Sequence, residues 1–245
     1  MKVAIVIPAR LQSTRLPRKL LLDIAGKSVL QRTYEQTLKS TRATAVVIAT
    51  DSMEIANAAC AFGAETIMTR GDHQSGTERI AEAAASIAAD MIVNIQGDEP
   101  EIDPVHIDAL IETHAAAGVF ASTLACPFPE YLDPANPAAV KAIFGERFLG
   151  APNSYRAIYF TRAPVPYPRD GGGEFHLHIG AYAFGREALM RFAAAPPGRL
   201  ERIEKLEQLR ILEMGETMAV RIVDRAARGV DTEDDLVAAR RRLSG

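Results

Sequence analysis

The sequence predicts an α/β protein with a mostly parallel central sheet covered by helices on both faces. Three observations lead there. Apolar, β-branched runs recur at residues 3–7, 45–49, 65–68, 91–95 and 119–125. Helical patterns separate them. The runs are near-continuous rather than alternating, which is how strands buried on both faces read. A β-α-β-α succession of this kind belongs to a parallel sheet.

The elements follow in order. The first run, VAIVI, stops at Pro8 and opens into a loop carrying Arg10, Arg15, Arg18 and Lys19. Ser28 is suited to cap a helix reaching about Lys39, with Val29, Leu30, Tyr34 and Leu38 on one face. A strand at 45–49 leads to a helix at 53–62, closed by Gly63. A short strand at 65–68 precedes the polar loop TRGDHQSGTER at 69–79 and a helix to about Ala89. The strand at 91–95 ends in Gln96-Gly97-Asp98-Glu99-Pro100. A helix at 104–117 and a strand at 119–125 complete the alternation.

From Pro127 to Gly173 prolines are frequent, and short strands are expected near 140–144 and 157–160. This predicts a strand-rich insertion at about 126–185 within one domain covering 1–245. Residues 176–184 alternate as a strand. Helices are expected at 187–193 and 201–213, a strand at 218–222, and a terminal helix at 232–243 capped by Asp231 or Thr232.

Bulk properties exclude several classes. The 245 residues carry 28 Lys and Arg against 31 Asp and Glu, a net charge of −3. A nucleic-acid binder would show a basic excess. No apolar run nears the roughly 20 residues that span a bilayer. The two cysteines, Cys60 and Cys126, lack metal-type spacing and read as small core residues of a reducing compartment. A cytoplasmic protein is expected, with no nucleic-acid or membrane partner.

Candidate chemistry collects at strand ends, where open α/β sheets bind ligands. The run Gly26-Lys27-Ser28 resembles the end of a P-loop, but Leu21 occupies the position of its first glycine. No G-x-G-x-x-G follows the first strand. Phosphates must therefore be met by side-chain cations, and Arg10, Arg15 and Lys19 are the candidates. A solvated basic loop is the plain alternative. Asp98, just past a strand, suits Mg²⁺, which takes one or two carboxylates plus substrate phosphates. Asp231 is the second candidate, unless it only caps the last helix. Gln96 offers an amide to a base or ribose. Residues 72–77 offer donors before a helix, although on chemistry alone plain helix capping is the favoured reading. His176 and His178 share a strand face but lack a third ligand. Arg162 has the fork to hold a carboxylate. Glu204, Glu207, Gln208 and Arg210 sit at spacings of three to four, where intrahelical pairing is the default.

Together the motifs resemble a known family. IPARLQSTRLPRK at 7–19, TRGDHQSGTER at 69–79, NIQGDEP at 94–100, YFTRAPVP at 159–166, HIGAYAF at 178–184, LEQLR at 206–210 and GVDTEDDL at 229–236 resemble the 3-deoxy-manno-octulosonate (Kdo) cytidylyltransferases, the CMP-Kdo synthetase family. The resemblance implies a Rossmann-like, glycosyltransferase-A-like nucleotidyltransferase with a three-layer sandwich. It implies a homodimer formed through the inserted strands. It implies CTP and Kdo as substrates, Mg²⁺ as cofactor, and CMP-Kdo for lipopolysaccharide as product. On this basis Ala9, Arg10, Arg15 and Lys19 hold the triphosphate, with Arg10, Arg15, Lys19 and Asp98 catalytic. Asp72, Gln74, Ser75 and Gly76 surround the cytosine, and Gln96 positions nucleotide or sugar. Asp98 and Asp231 bind Mg²⁺. Arg162, His178, Tyr182, Glu207 and Gln208 line the sugar-acid pocket.

The chain departs from the family at two places. Arg18 and Leu20 flank Lys19 where Gly and Pro are usual, and Gly171-Gly172-Gly173 replaces a longer connection. Rival expectations are the same reaction on an 8-amino Kdo, a cytidylyltransferase for another acid or for a methylerythritol phosphate, and a non-catalytic nucleotide sensor.

Overall fold

A computed structural model describes residues 1–13, 15–73 and 75–244. The chain divides into two compact units. One comprises Met1–Asp108 with Ala227–Gly245, the other Ala109–Ala226.

The first unit contains β1 (Val3–Ala9), a small hairpin of β2 (Asp23–Ile24) and β3 (Lys27–Ser28), α1 (Val29–Thr37), β4 (Ala45–Thr50), α2 (Met53–Ala61), β5 (Glu65–Met68), α3 (Gly76–Ala84), β6 (Met91–Asn94) and the C-terminal helix Glu233–Leu243. Its main strands run in the order β5-β4-β1-β6, all parallel. Burying Val3, Ile5, Val6 and Ile7 almost completely in β1 contributes roughly 1.5–3 kcal/mol per large side chain. Ser28 and Ser52 cap α1 and α2, each accepting a hydrogen bond from the N–H three residues on. Leu38, expected on the buried face of α1, is exposed because the helix ends at Thr37. Cys60 is exposed as well, while Cys126 is buried, and both are free thiols.

The helix α4 (Pro104–Ala117) carries the chain onward. The second unit then holds β7 (Ala121–Pro127), β8 (Lys141–Arg147), β9 (Ser154–Thr161), β10 (His176–Gly185), α5 (Arg186–Ala194), α6 (Arg199–Glu204), α7 (Gln208–Glu213) and β11 (Met218–Ile222). The strand order is β10-β7-β11-β9-β8, and β8 also meets β10 at Lys141 and Leu177. Only β11 and β7 are parallel here, and the other pairs are antiparallel. The expected mostly parallel sheet therefore describes the first unit, and the strands of the second are mixed. Connections without a helix at 128–140, 148–153 and 162–175 fit this, since antiparallel neighbours need no helical crossover.

The single helix expected at 201–213 is two. Lys205 adopts a left-handed conformation, φ 55° and ψ 47°, and ends α6. The expected intrahelical pairing fails with it. Arg210 instead forks onto Glu201, with Nε 2.7 Å from Oε2, and Glu204 accepts from Thr161 Oγ1 at 2.8 Å.

Candidate active site

The strands β1 and β6 are parallel neighbours, so the loops that follow them leave the sheet at the same edge. The β1 loop delivers Lys19 and the β6 loop delivers Asp98. Gly97 suits this crossing, because a Cβ there would lie a tight 3.3 Å from the Pro8 carbonyl oxygen. Thr33 Oγ1 donates to Gly97 O at 3.0 Å and pins the turn. Val230 N donates to Asp98 O at 2.9 Å, bringing the 229–236 segment alongside. Thr232, not Asp231, caps the C-terminal helix, accepting from Asp235 N at 3.2 Å. That leaves the Asp231 carboxylate free of capping.

The three groups converge. The Lys19 ammonium donates to Asp98 Oδ2 and, at 2.8 Å, to Asp231 Oδ1. Arg15 Nη2 lies 3.1 Å from the same Asp231 oxygen. Burial works against the Lys19 charge, but Asp98 and Asp231 outweigh it and raise the pKa. Beside them, desolvation followed by the charges of Asp98 and Asp231 pushes the Glu99 carboxyl up to about 8. Glu99 therefore keeps its proton at neutral pH. Nothing in the sequence distinguished it from any other turn residue.

Among the described residues no cluster of three or more His, Cys, Asp or Glu could hold a metal. The donor set here nevertheless fits Mg²⁺, which takes few protein carboxylates and completes its shell with phosphate oxygens and water. The Lys19 ammonium already demonstrates that the two carboxylates converge on one cation.

Arg10 is exposed, and Ala9 is buried at the end of β1. Arg18 forms an ion pair with Glu54 and sits in the left-handed region, φ 57° and ψ 25°. Glycine adopts that conformation without cost, whereas the Cβ of Arg18 strains it. In the 69–79 loop, Ser75 caps α3 by accepting from Glu78 N at 3.2 Å. Gly76 packs against Pro8, where a Cβ would approach Cγ to 3.3 Å. Asp72 is exposed near Arg70, 3.6 Å away. Gln74 lies outside the described residues. Gln96 Nε2 donates to Asn94 Oδ1 at 3.0 Å.

The remaining candidates belong to the second unit. The Arg162 guanidinium donates to three backbone carbonyls, Glu204 O at 2.7 Å, Pro137 O at 2.6 Å and Lys205 O at 3.3 Å. Of its five N–H groups, two remain. Lys141, unnoticed in the sequence, is fully buried and donates to Ala139 O and Arg162 O, each at 2.6 Å. His178 packs edge-on to Phe160, 4.8 Å between ring centroids. Its Nε2 is 2.9 Å from Thr123 Oγ1 and its Nδ1 3.4 Å from Gln208 Nε2. Burial pushes its pKa down to about 3, so the ring is neutral. The Tyr182 hydroxyl donates to Gln208 Oε1 at 3.1 Å. Burial first, then the Glu207 charge, raises its pKa. Thus His178, Tyr182 and Gln208 do form one cluster, with Glu207 at its edge.

Comparison with known proteins supplies the family. A family model described as cytidylyltransferase matches residues 4–218. The 3-deoxy-manno-octulosonate cytidylyltransferase of Rhodopirellula baltica is 46% identical, covering 99% of both chains. That of Chlorobium limicola is 45% identical over 99% of this chain and 98% of its own. A solved CMP:2-keto-3-deoxy-manno-octonic acid synthetase complexed with CTP superposes with a TM-score of 0.90. It is 37% identical and covers 100% of this chain and 99% of its own.

Proposed function

The chain belongs to the 3-deoxy-manno-octulosonate cytidylyltransferase family, and from that premise we propose that it transfers CMP from CTP to Kdo. The anomeric oxygen of the sugar acid attacks the α-phosphorus, the bond to the bridging oxygen breaks, and pyrophosphate leaves. The product is CMP-Kdo, the activated sugar for lipopolysaccharide. The observation that carries this reading is the convergence of Lys19, Asp98, Asp231 and Arg15 at one strand edge.

Two anions must meet in this reaction, and phosphoryl transfer of this kind is mostly positioning and electrostatic stabilisation. Lys19 has three N–H donors. Two hold Asp98 and Asp231, and the third remains for a phosphate oxygen. Arg15, already oriented by Asp231, and the exposed Arg10 add fork-like donors to the triphosphate. Asp98 and Asp231 would hold Mg²⁺, which when bound supplies charge neutralisation for the triphosphate and the departing pyrophosphate. Ser75, Gly76, Asp72 and Gln74 are assigned to the base, and Gln96 to nucleotide or sugar. The cluster of His178, Tyr182, Gln208 and Glu207, with the two remaining N–H groups of Arg162, is assigned to the sugar acid.

We infer the glycosyltransferase-A-like, three-layer form of the fold for the enzyme, and a homodimer formed through the strand-rich region. The exposure of Tyr131, Leu149, Ile158 and Tyr167 in that region supports the dimer, and sedimentation velocity reads it directly. No described helix is long and apolar enough to cross a membrane. Two free thiols and a CTP substrate support a cytoplasmic place.

The decisive experiment measures pyrophosphate release with each nucleoside triphosphate against a panel of sugar acids, with and without Mg²⁺. Release confined to CTP, Kdo and Mg²⁺ is expected. Nucleotide binding without turnover on any sugar acid would establish a sensor instead.

A further inference from the structure

We propose that Thr123 is a positioning residue: it fixes the direction of a hydrogen-bond chain through His178 and Gln208, so that Tyr182 presents its oxygen to the sugar acid as an acceptor. The proposal deepens the sugar-site reading above and rests on it.

The chain begins at an irregularity in β10. Its register against β7 shifts between Ile179 and Tyr182, a β-bulge of the kind that re-aims neighbouring groups. Thr123, fully buried on β7, lies beneath it. Its Oγ1 is 2.8 Å from Ala181 O and 3.2 Å from Ile179 O. Both carbonyls only accept, and the nearer one, Ala181 O, takes the single hydroxyl proton. Towards His178 Nε2, 2.9 Å away, Thr123 can then only accept, and the imidazole proton must sit on Nε2.

The far end agrees independently. The neighbour of His178 Nδ1 is the Gln208 amide nitrogen at 3.4 Å, which only donates. Nδ1 is therefore the unprotonated nitrogen. With its nitrogen turned to His178, Gln208 turns Oε1 to Tyr182. The tyrosine hydroxyl, 3.1 Å away, must donate its proton there. Every proton points towards the bulge.

The consequence is selectivity at Tyr182. Its oxygen has lone pairs and no uncommitted proton, so it accepts from a sugar hydroxyl and repels a carboxylate. The sugar is oriented with its acid group elsewhere. Thr123 touches no substrate in this scheme.

Thr123→Val keeps the shape and removes the hydroxyl, and Thr123→Ser restores it. In the valine variant we expect KM for Kdo to rise about tenfold, the equivalent of one polar interaction, with KM for CTP unchanged. The His178 ¹⁵N shifts should move from a single Nε2–H tautomer to a mixture, and the serine variant should recover both properties. Wild-type sugar KM and nitrogen shifts in Thr123→Val would overturn the proposal. So would equal losses for CTP and Kdo that serine does not rescue. The nitrogen shifts need no substrate. If no sugar acid turns over, the functional reading falls with the sugar half of this proposal, while the shifts still decide the chain.

Discussion

At the scale of single residues, two positions carry contrasting lessons. Asp98 meets the Lys19 ammonium and is proposed to hold Mg²⁺ as well, so its charge would matter in two ways. Asp98→Asn keeps the shape and removes that charge, and turnover should fall far more than CTP affinity. Near wild-type turnover at saturating Mg²⁺ would remove Asp98 from the metal assignment. Arg18 is different. Its left-handed backbone costs a residue with a Cβ roughly 1–2 kcal/mol. An exposed ion pair such as that with Glu54 returns about 0–1 kcal/mol. Arg18→Gly relieves the strain and adds about 0.5–1 kcal/mol of unfolded-chain entropy. Its net effect on stability should lie within about 1 kcal/mol of zero, whereas Arg18→Val should be clearly destabilising. Equal losses for both substitutions in chemical denaturation would show that the guanidinium, not the backbone, matters. Thr123, Lys141 and Glu99 had no sequence signal. An isolated threonine, lysine or glutamate is ordinary until burial decides what it must bond.

At the scale of elements, the break between α6 and α7 matters most. Lys205 turns the chain, and the following residues bring Glu207 and Gln208 to the strand that carries His178 and Tyr182. A continuous helix over 201–213 would have aimed these side chains by a fixed 3.6-residue period. Holding α7 in place is Arg210, 3% exposed, paired with Glu201 and stacked 4.5 Å over Phe192. Removing one partner of a buried pair strands the other charge and typically costs about 3–5 kcal/mol. Arg210→Met should lose stability on that scale and raise KM for Kdo. Arg210→Met with Glu201→Leu should recover most of the stability. A double variant no more stable than the single one would mean that the pair is not the source of the loss.

At the scale of the whole molecule, stability should depend on pH through buried histidines. Burial lowers His114 to about 4 and His178 to about 3, against an ordinary value near 6.5. Both rings are neutral in the fold, and the unfolded chain binds their protons first. The histidine contribution is therefore complete above about pH 6.5 and falls as pH drops towards the folded values, while the raised Glu99 carboxyl acts in the opposite sense, losing stability as pH rises towards about 8. Between pH 7 and pH 5 each histidine should remove about 2 kcal/mol. Urea unfolding at the two pH values tests this, and His114→Asn should flatten the slope. An unchanged slope would show that His114 is accessible to protons in the fold.

The parallel half of the fold, most strand and helix positions, the cationic loop and the two carboxylates proposed for Mg²⁺ are legible in the residue order. Those are local properties: apolar runs, caps, and charged groups placed directly after strands. The mixed arrangement of β7 to β11 emerges only from the folded chain, because pairing direction depends on partners distant in sequence. Only the tertiary structure decided that Thr232 caps the last helix and leaves Asp231 to meet Lys19, since two adjacent residues were equally able to cap. The direction of the chain from Tyr182 to Thr123 was equally beyond the sequence. A proton's position is set by which atoms surround it, and those atoms come from three separate elements.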